Sequence, residues 1–131
     1  MSETDYLDIG EVVEIHDQMI DRYGGAYGFN GPSGEGLVES AVHRPRNKAL
    51  YEGADLPAQA ASLLFGLGKN HGFLDGNKRI ALAATSVFLL LNGWSLLCHN
   101  DIVADFIEGC SSETCTEDLV VEFIRSNVNR A

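Results

Sequence analysis

The residues best suited to chemistry form one run, His71-Gly72-Phe73-Leu74-Asp75-Gly76-Asn77-Lys78-Arg79. Gly76 lets the backbone turn closely. A helix predicted to begin around Gly76 or Asn77 offers N–H groups that no helical carbonyl accepts, and Lys78 and Arg79 add two cations beside them. Together these make an anion site where phosphates would lie. Asp75 can give an oxygen to Mg2+, the usual companion of a nucleotide polyphosphate. The His71 imidazole can take a proton from an attacking hydroxyl at neutral pH. Phe73 and Leu74 are expected to anchor the segment. Each of these residues also has an ordinary structural use, since a histidine after a helix commonly caps it and a Lys-Arg pair commonly decorates a solvated face. Their conjunction in one short segment is what points to chemistry.

Other site patterns are missing. No Gly-x-x-x-x-Gly-Lys-Ser/Thr loop occurs, Gly66 and Gly68 do not complete Gly-x-Gly-x-x-Gly, and no His-Glu-x-x-His is present. His16, His43 and His99 lack ligand-like spacing with one another, so core packing or surface placement is expected for them. Cys98, Cys110 and Cys115 are odd in number and contain no Cys-x-x-Cys pair, which predicts reduced thiols rather than a disulfide framework or zinc cage.

The run must be held by helices. Ile9, Val12, Val13, His16, Ile20 and Tyr23 recur at helical spacing until Gly24-Gly25. After a turn-rich stretch, Leu37, Val38, Ala41 and Val42 predict a short helix ending near Arg44-Pro45, followed by a long loop from Pro45 to Ala54. Asp55 and Pro57 mark the start of a third helix running to about Asn70, in which Gly66 and Gly68 allow close packing. The fourth is apolar nearly all round from Ile80 to Leu91, stops at Asn92-Gly93 and is expected to be the central core helix. Two amphipathic helices complete the set, one with Ile102, Val103, Phe106 and Ile107, the other with Leu119, Val120, Phe123 and Ile124. Thr114 and Glu117 have capping-box spacing at the start of the last. No stretch alternates as a half-buried strand would. The expected fold is all-α, a compact bundle of about six helices forming one domain over residues 1–131.

Composition narrows the function classes. At 131 residues with 45% apolar content, one core is sufficient. Nineteen acidic against nine basic residues give a formal charge of -10, which repels a nucleic-acid backbone. Ile80 to Leu91 is too short to span about 30 Å of hydrocarbon, so no membrane partner is expected. Ser2 to Gly10 lacks the basic start and apolar run of a secretory signal, and a cytoplasmic location is expected.

The nine-residue run is similar to the Fic/Doc signature His-x-Phe-x-Asp/Asn-Ala/Gly-Asn-Lys/Gly-Arg, and it matches every specified position. The resemblance extends through Leu7–Gly25, Gly36–Pro45, Ala58–Asn70 and Ile80–Trp94, so that the similar core runs from about Leu7 to about Ile124. It implies that His71 acts as base and Asp75 holds Mg2+. It further implies that Gly76, Asn77, Lys78 and Arg79 bind the phosphates of ATP, with Asp75, Lys78 and Arg79 joining His71 in catalysis. In Fic adenylyltransferases a glycine precedes the motif arginine and a second arginine follows three residues later. Here those positions hold Lys78 and Leu82. Both differences resemble the Doc branch, which implies a toxin that transfers the γ-phosphoryl group of ATP to a Ser/Thr hydroxyl and inhibits translation, with elongation factor Tu as the candidate target.

A protein adenylyltransferase and a catalytically degenerate binding module are the alternatives. Gly72 and Ile80 depart from the usual motif residues, and a looser loop is the expected consequence of the first. Many Fic proteins inhibit themselves through a Ser/Thr-x-x-x-Glu-Gly/Asn helix. The Glu-Gly pairs at Glu35, Glu52 and Glu108 have Gly31, Lys48 and Ala104 four residues earlier, so none completes it. The resemblance therefore implies a separate, Phd-like antitoxin as partner.

Overall fold

The computed structural model describes residues 3–97, 102, 105–106 and 115–130. Its helices are α1 (Ile9–Tyr23), α2 (Gly34–Glu52), α3 (Leu56–Asn70), α4 (Asn77–Leu91) and α5 (Glu117–Ser126). Ile102, Asp105 and Phe106 are also helical, and the rest of the helix predicted around them lies outside the described residues. The expected helical class holds. Among the described residues no helix is long and apolar enough to cross a membrane.

Each boundary has a local cause. Asp8 and Glu11 form a reciprocal capping box that starts α1, and Gly24, with φ of 87°, ends it. The Asp55 carboxylate accepts from the Ala58 N–H to start α3, with Pro57 in the first turn where a missing N–H costs nothing. Thr116 caps α5 by accepting from the Leu119 N–H. The expected cap at Thr114 lies outside the described residues, and Glu117 is engaged elsewhere.

The second helix departs from expectation. It continues through buried Pro45 to Glu52, where a long loop was expected. Proline cannot donate to the carbonyl four residues earlier, a loss that normally stops a helix. Tertiary contacts compensate here: Arg44 donates through Nε to the Ser62 carbonyl at 3.0 Å, Arg44 and Lys48 both pair with Glu117 of α5, and Lys48 also pairs with Glu52. These partners are polar and distant in sequence, so the segment shows no apolar period of its own.

The central helix is α3 rather than α4. It packs on α2, α4 and α5, and from Gln59 to Leu64 every residue is buried, whereas Leu90 and Leu91 of α4 are exposed. Small residues explain the arrangement. A Cβ on Gly66 would lie 2.6 Å from Arg44 Cδ and 3.1 Å from Ala41 Cβ, so α2 could not approach a larger residue there. Gly68 has no such constraint, with only Ala81 Cβ at 3.9 Å.

A small ribbon was also not anticipated. Strand β1 (Trp94–Leu96) pairs antiparallel with β2 (Val128–Arg130), Trp94 opposite Arg130, and the Arg130 guanidinium stacks over the Trp94 ring at 5.1 Å. Three residues are too few to display alternation. Cys115 is disulfide-bonded, which corrects the expectation of a reduced thiol at that position. Cys98 and Cys110 lie outside the described residues.

Candidate active site

The run from His71 to Arg79 forms the corner between α3 and α4. His71 caps α3 in the left-handed region, with φ of 50°, and Gly76 precedes α4 with φ of 75°. Two reversals of this kind turn the chain sharply and bring both helix ends to one opening of about 390 Å3, lined by His71, Leu74, Asp75, Gly76, Asn77, Lys78 and Arg79. All six residues singled out from sequence as site candidates therefore share one opening. His71, Asp75 and Arg79 are exposed there, and Gly76, Asn77 and Lys78 are partly buried.

A second segment straps the corner in place. The Asn30 N–H donates to the Gly72 carbonyl at 2.8 Å and the Leu74 N–H to the Gly28 carbonyl at 3.0 Å, so residues 28–30 lie alongside 72–74 like two short strands. The Asn30 side chain donates to the His71 carbonyl at 3.0 Å, fixing the backbone that carries the imidazole. Phe73 is buried, stacked between His16 at 3.9 Å and Phe29 at 5.5 Å. Leu74, expected as a second anchor, is 56% exposed, and its backbone N–H is what ties it to Gly28. Gly72 does not loosen the loop. It is buried, and an added Cβ would lie 2.6 Å from Val38 Cγ2 and 2.9 Å from the Gly34 carbonyl, so glycine permits a tight approach to α2.

The polar groups divide into those that hold the loop and those that face the opening. Asn77 accepts from the Phe73 N–H at 3.0 Å and donates to the Phe73 carbonyl at 2.9 Å, which clasps the turn. The Asp75 carboxylate accepts from the Gly76 N–H at 2.9 Å and from the Ala26 N–H at 3.3 Å. Asp75 is exposed, and each of its oxygens can accept a further bond. Among the described residues no three acidic, histidine or cysteine side chains converge as a metal cage. A single hard carboxylate that shares its opening with Lys78 and Arg79 fits Mg2+, which commonly binds one or two carboxylates and completes its shell with phosphate oxygens and water. Arg79 lies over the Tyr23 ring at 4.8 Å, which limits where its guanidinium can swing. Nearby, the Tyr27 hydroxyl donates to Asp21, and that bond raises the phenol above its ordinary pKa.

Sequence reasoning passed over several residues that build this corner. An added Cβ on Gly25 would fall 2.7 Å from Asp75 Oδ2, so the second glycine after α1 makes room for the carboxylate. Gly34 meets the Gly72 carbonyl in the same manner, its Cβ position only 2.5 Å away. His16 lies beneath the loop, with Nε2 2.7 Å from the Asp75 carbonyl. Its one visible signal was a lone imidazole in register with Val12 and Ile20 on the buried face of α1.

Comparison with known proteins identifies the family. The family model described as the Fic/DOC family matches residues 6–89. Toxin Doc of Mycolicibacterium smegmatis is 38% identical over 97 residues, covering 71% of this chain and 72% of that protein. Protein kinase doc of Escherichia phage P1 is 31% identical over 116 residues, covering 88% of this chain and 89% of that protein. With its signature run folded into the corner between α3 and α4, the chain belongs to the Fic/Doc family, in which its relatives are of the Doc type.

Proposed function

We propose that this protein is a Doc-type toxin that transfers the γ-phosphoryl group of ATP to a Ser/Thr hydroxyl of a target protein in the cytoplasm. The observation carrying this reading is the shared opening, where His71, Asp75, Lys78 and Arg79 meet at a helix start beside the Gly76 backbone. The relatives, one named a toxin and the other a protein kinase, support the same direction.

In the proposed reaction the acceptor hydroxyl gives its proton to the His71 imidazole as its oxygen attacks the γ-phosphorus. The new O–P bond forms as the bond from that phosphorus to the β–γ bridging oxygen breaks, and ADP leaves with the bridging oxygen. Asp75 would hold Mg2+, which supplies neutralisation of the phosphate charge when bound. Lys78 and Arg79 add charge-assisted hydrogen bonds to phosphoryl oxygens. The N–H groups of the first turn of α4 have no helical carbonyl partners and suit the same anion.

Lys78 is the feature that favours phosphate transfer over nucleotide transfer. A glycine there would let a phosphate lie against bare backbone, whereas lysine adds bulk and a point charge. Leu82 removes the further clamp that a second arginine would supply. Elongation factor Tu is the expected acceptor, translation the expected process, and a Phd-like antitoxin the expected partner. Intact-mass analysis of the purified candidate target after incubation with protein, ATP and Mg2+ tests the reading. Addition of one phosphate supports it. Addition of a nucleotide monophosphate would establish the adenylyltransferase alternative, and no adduct on any protein, together with harmless expression in cells, would favour the binding module.

A further inference from the structure

His16 is 1% exposed, deep on the inner face of α1, yet it is polar. Its Nε2 is 2.7 Å from the Asp75 carbonyl. A carbonyl oxygen can only accept, so Nε2 carries the proton in this contact. The other nitrogen, Nδ1, is buried with no hydrogen-bond partner among the described residues, and Asp17 Oδ1 stands 3.9 Å away. An apolar side chain would fill the same space without burying an unsatisfied atom, so packing alone does not account for an imidazole here. The hydrogen bond to Asp75 does.

That carbonyl belongs to the peptide joining Asp75 to Gly76. The bond is trans, as are all peptide bonds in the described chain, and in a trans peptide the C=O and N–H point in opposite directions. Holding the Asp75 oxygen inward against His16 therefore turns the Gly76 N–H outward, on the side of the Asp75 carboxylate that accepts it at 2.9 Å. Gly76, free of Cβ constraint at φ of 75°, is the residue about which this peptide could most readily rotate. Phe73 stacks on the same imidazole at an interplanar angle of 9°, so one side chain fixes both the ring that anchors the loop and the peptide that faces the anion site.

We infer that His16 is a positioning residue, which holds the Asp75–Gly76 peptide so that its N–H stays on the Asp75 carboxylate and sets that carboxylate at the edge of the opening. This rests on the proposed phosphoryl transfer for its catalytic consequence, but not for its structural one. Its two parts can be separated. His16→Leu keeps an apolar body and loses the donor, whereas His16→Gln can place its amide nitrogen where Nε2 stood.

The test combines a structural and a kinetic readout on the full chain. The backbone amide resonance of Gly76 in 15N-labelled protein should be single and sharp in the parent, shifted or broadened in His16→Leu, and near the parental position in His16→Gln. Turnover with ATP and Mg2+ should fall on the order of tenfold to a hundredfold in His16→Leu, as for a small misplacement of a catalytic group, with KM for ATP changed far less. His16→Gln should recover most of it. Thermal melts verify that both variants are folded. An unmoved Gly76 resonance in folded His16→Leu would overturn the inference, as would a glutamine variant that is folded but matches leucine in both readouts. If His16→Leu does not fold, the glutamine variant decides by whether its Gly76 resonance stays at the parental position. Were the parent to transfer no phosphate at all, the reading of function would fall, and the Gly76 resonance would still decide the role of His16.

Discussion

His71 is a non-glycine residue with left-handed backbone, at φ of 50°, a conformation that costs an L residue roughly 1–2 kcal/mol relative to its right-handed alternative. Its exposed ring lines the opening rather than filling the core. Base function and fold should therefore separate on substitution. His71→Gly is expected to lose about two to four orders of magnitude in turnover, the usual contribution of general base catalysis, while melting no lower than the parent. Steady-state rates and thermal denaturation measure the two effects, and parental turnover would contradict the base assignment. Lys78 bears on which phosphoryl group moves. Lys78→Gly should remove a charge-assisted contact of about 1.5–3 kcal/mol, which corresponds to roughly ten- to a hundredfold in phosphate transfer. Nucleotide transfer should remain weak until Leu82→Arg is added. Unchanged phosphorylation in Lys78→Gly would leave the lysine as decoration of the helix start.

Between elements, the contacts that hold the corner are backbone approaches. Gly72→Ala places a Cβ 2.6 Å from Val38 Cγ2 and 2.9 Å from the Gly34 carbonyl, and the latter cannot swing aside. It should cost about 1–3 kcal/mol, the range for overpacking a well-filled site, seen as a lower urea midpoint. Stability equal to the parent would mean that α2 and the loop separate easily. At the far end of α3, the Arg125 guanidinium hydrogen-bonds both oxygens of Asp55, at 2.6 and 3.2 Å, and holds its carboxyl below the ordinary range, helped by the Ala58 N–H. A depressed carboxyl pKa stabilises the fold above the unfolded-state value, and that stabilisation is lost as pH falls through the folded-state value. The stability difference between the parent and Asp55→Asn should therefore be constant at neutral pH and shrink on acidification below the unfolded carboxyl pKa. Chemical denaturation across that range checks it, and a difference that grows in acid would contradict the pairing.

Across the whole molecule, the features legible in sequence were those written locally. Asp8 with Glu11, Asp55 with Pro57, and Gly24 each mark a helix end through groups within a turn of one another. The run from His71 to Arg79 carries its chemistry in consecutive residues, so its site candidates could be named before any fold was known. What could not be read depends on distant partners. The extension of α2 past Pro45 is held by Ser62 and Glu117, and β1 pairs with residues more than thirty positions away. Gly25, Gly34 and Gly72 show their purpose only when Asp75, the Gly72 carbonyl and Val38 stand against them. His16 looked like an ordinary core position because its partner is the backbone of Asp75, fifty-nine residues on.

The central claim is that this corner moves the terminal phosphoryl group of ATP. It is tested most directly by supplying the protein and a cell lysate with Mg2+ and ATP labelled either at the γ- or at the α-phosphate, with His71→Ala as control. Label from γ-labelled ATP alone should reach protein, and only with the parental chain. Protein label from α-labelled ATP would contradict the claim in favour of nucleotide transfer, and equal labelling by His71→Ala would contradict the site itself.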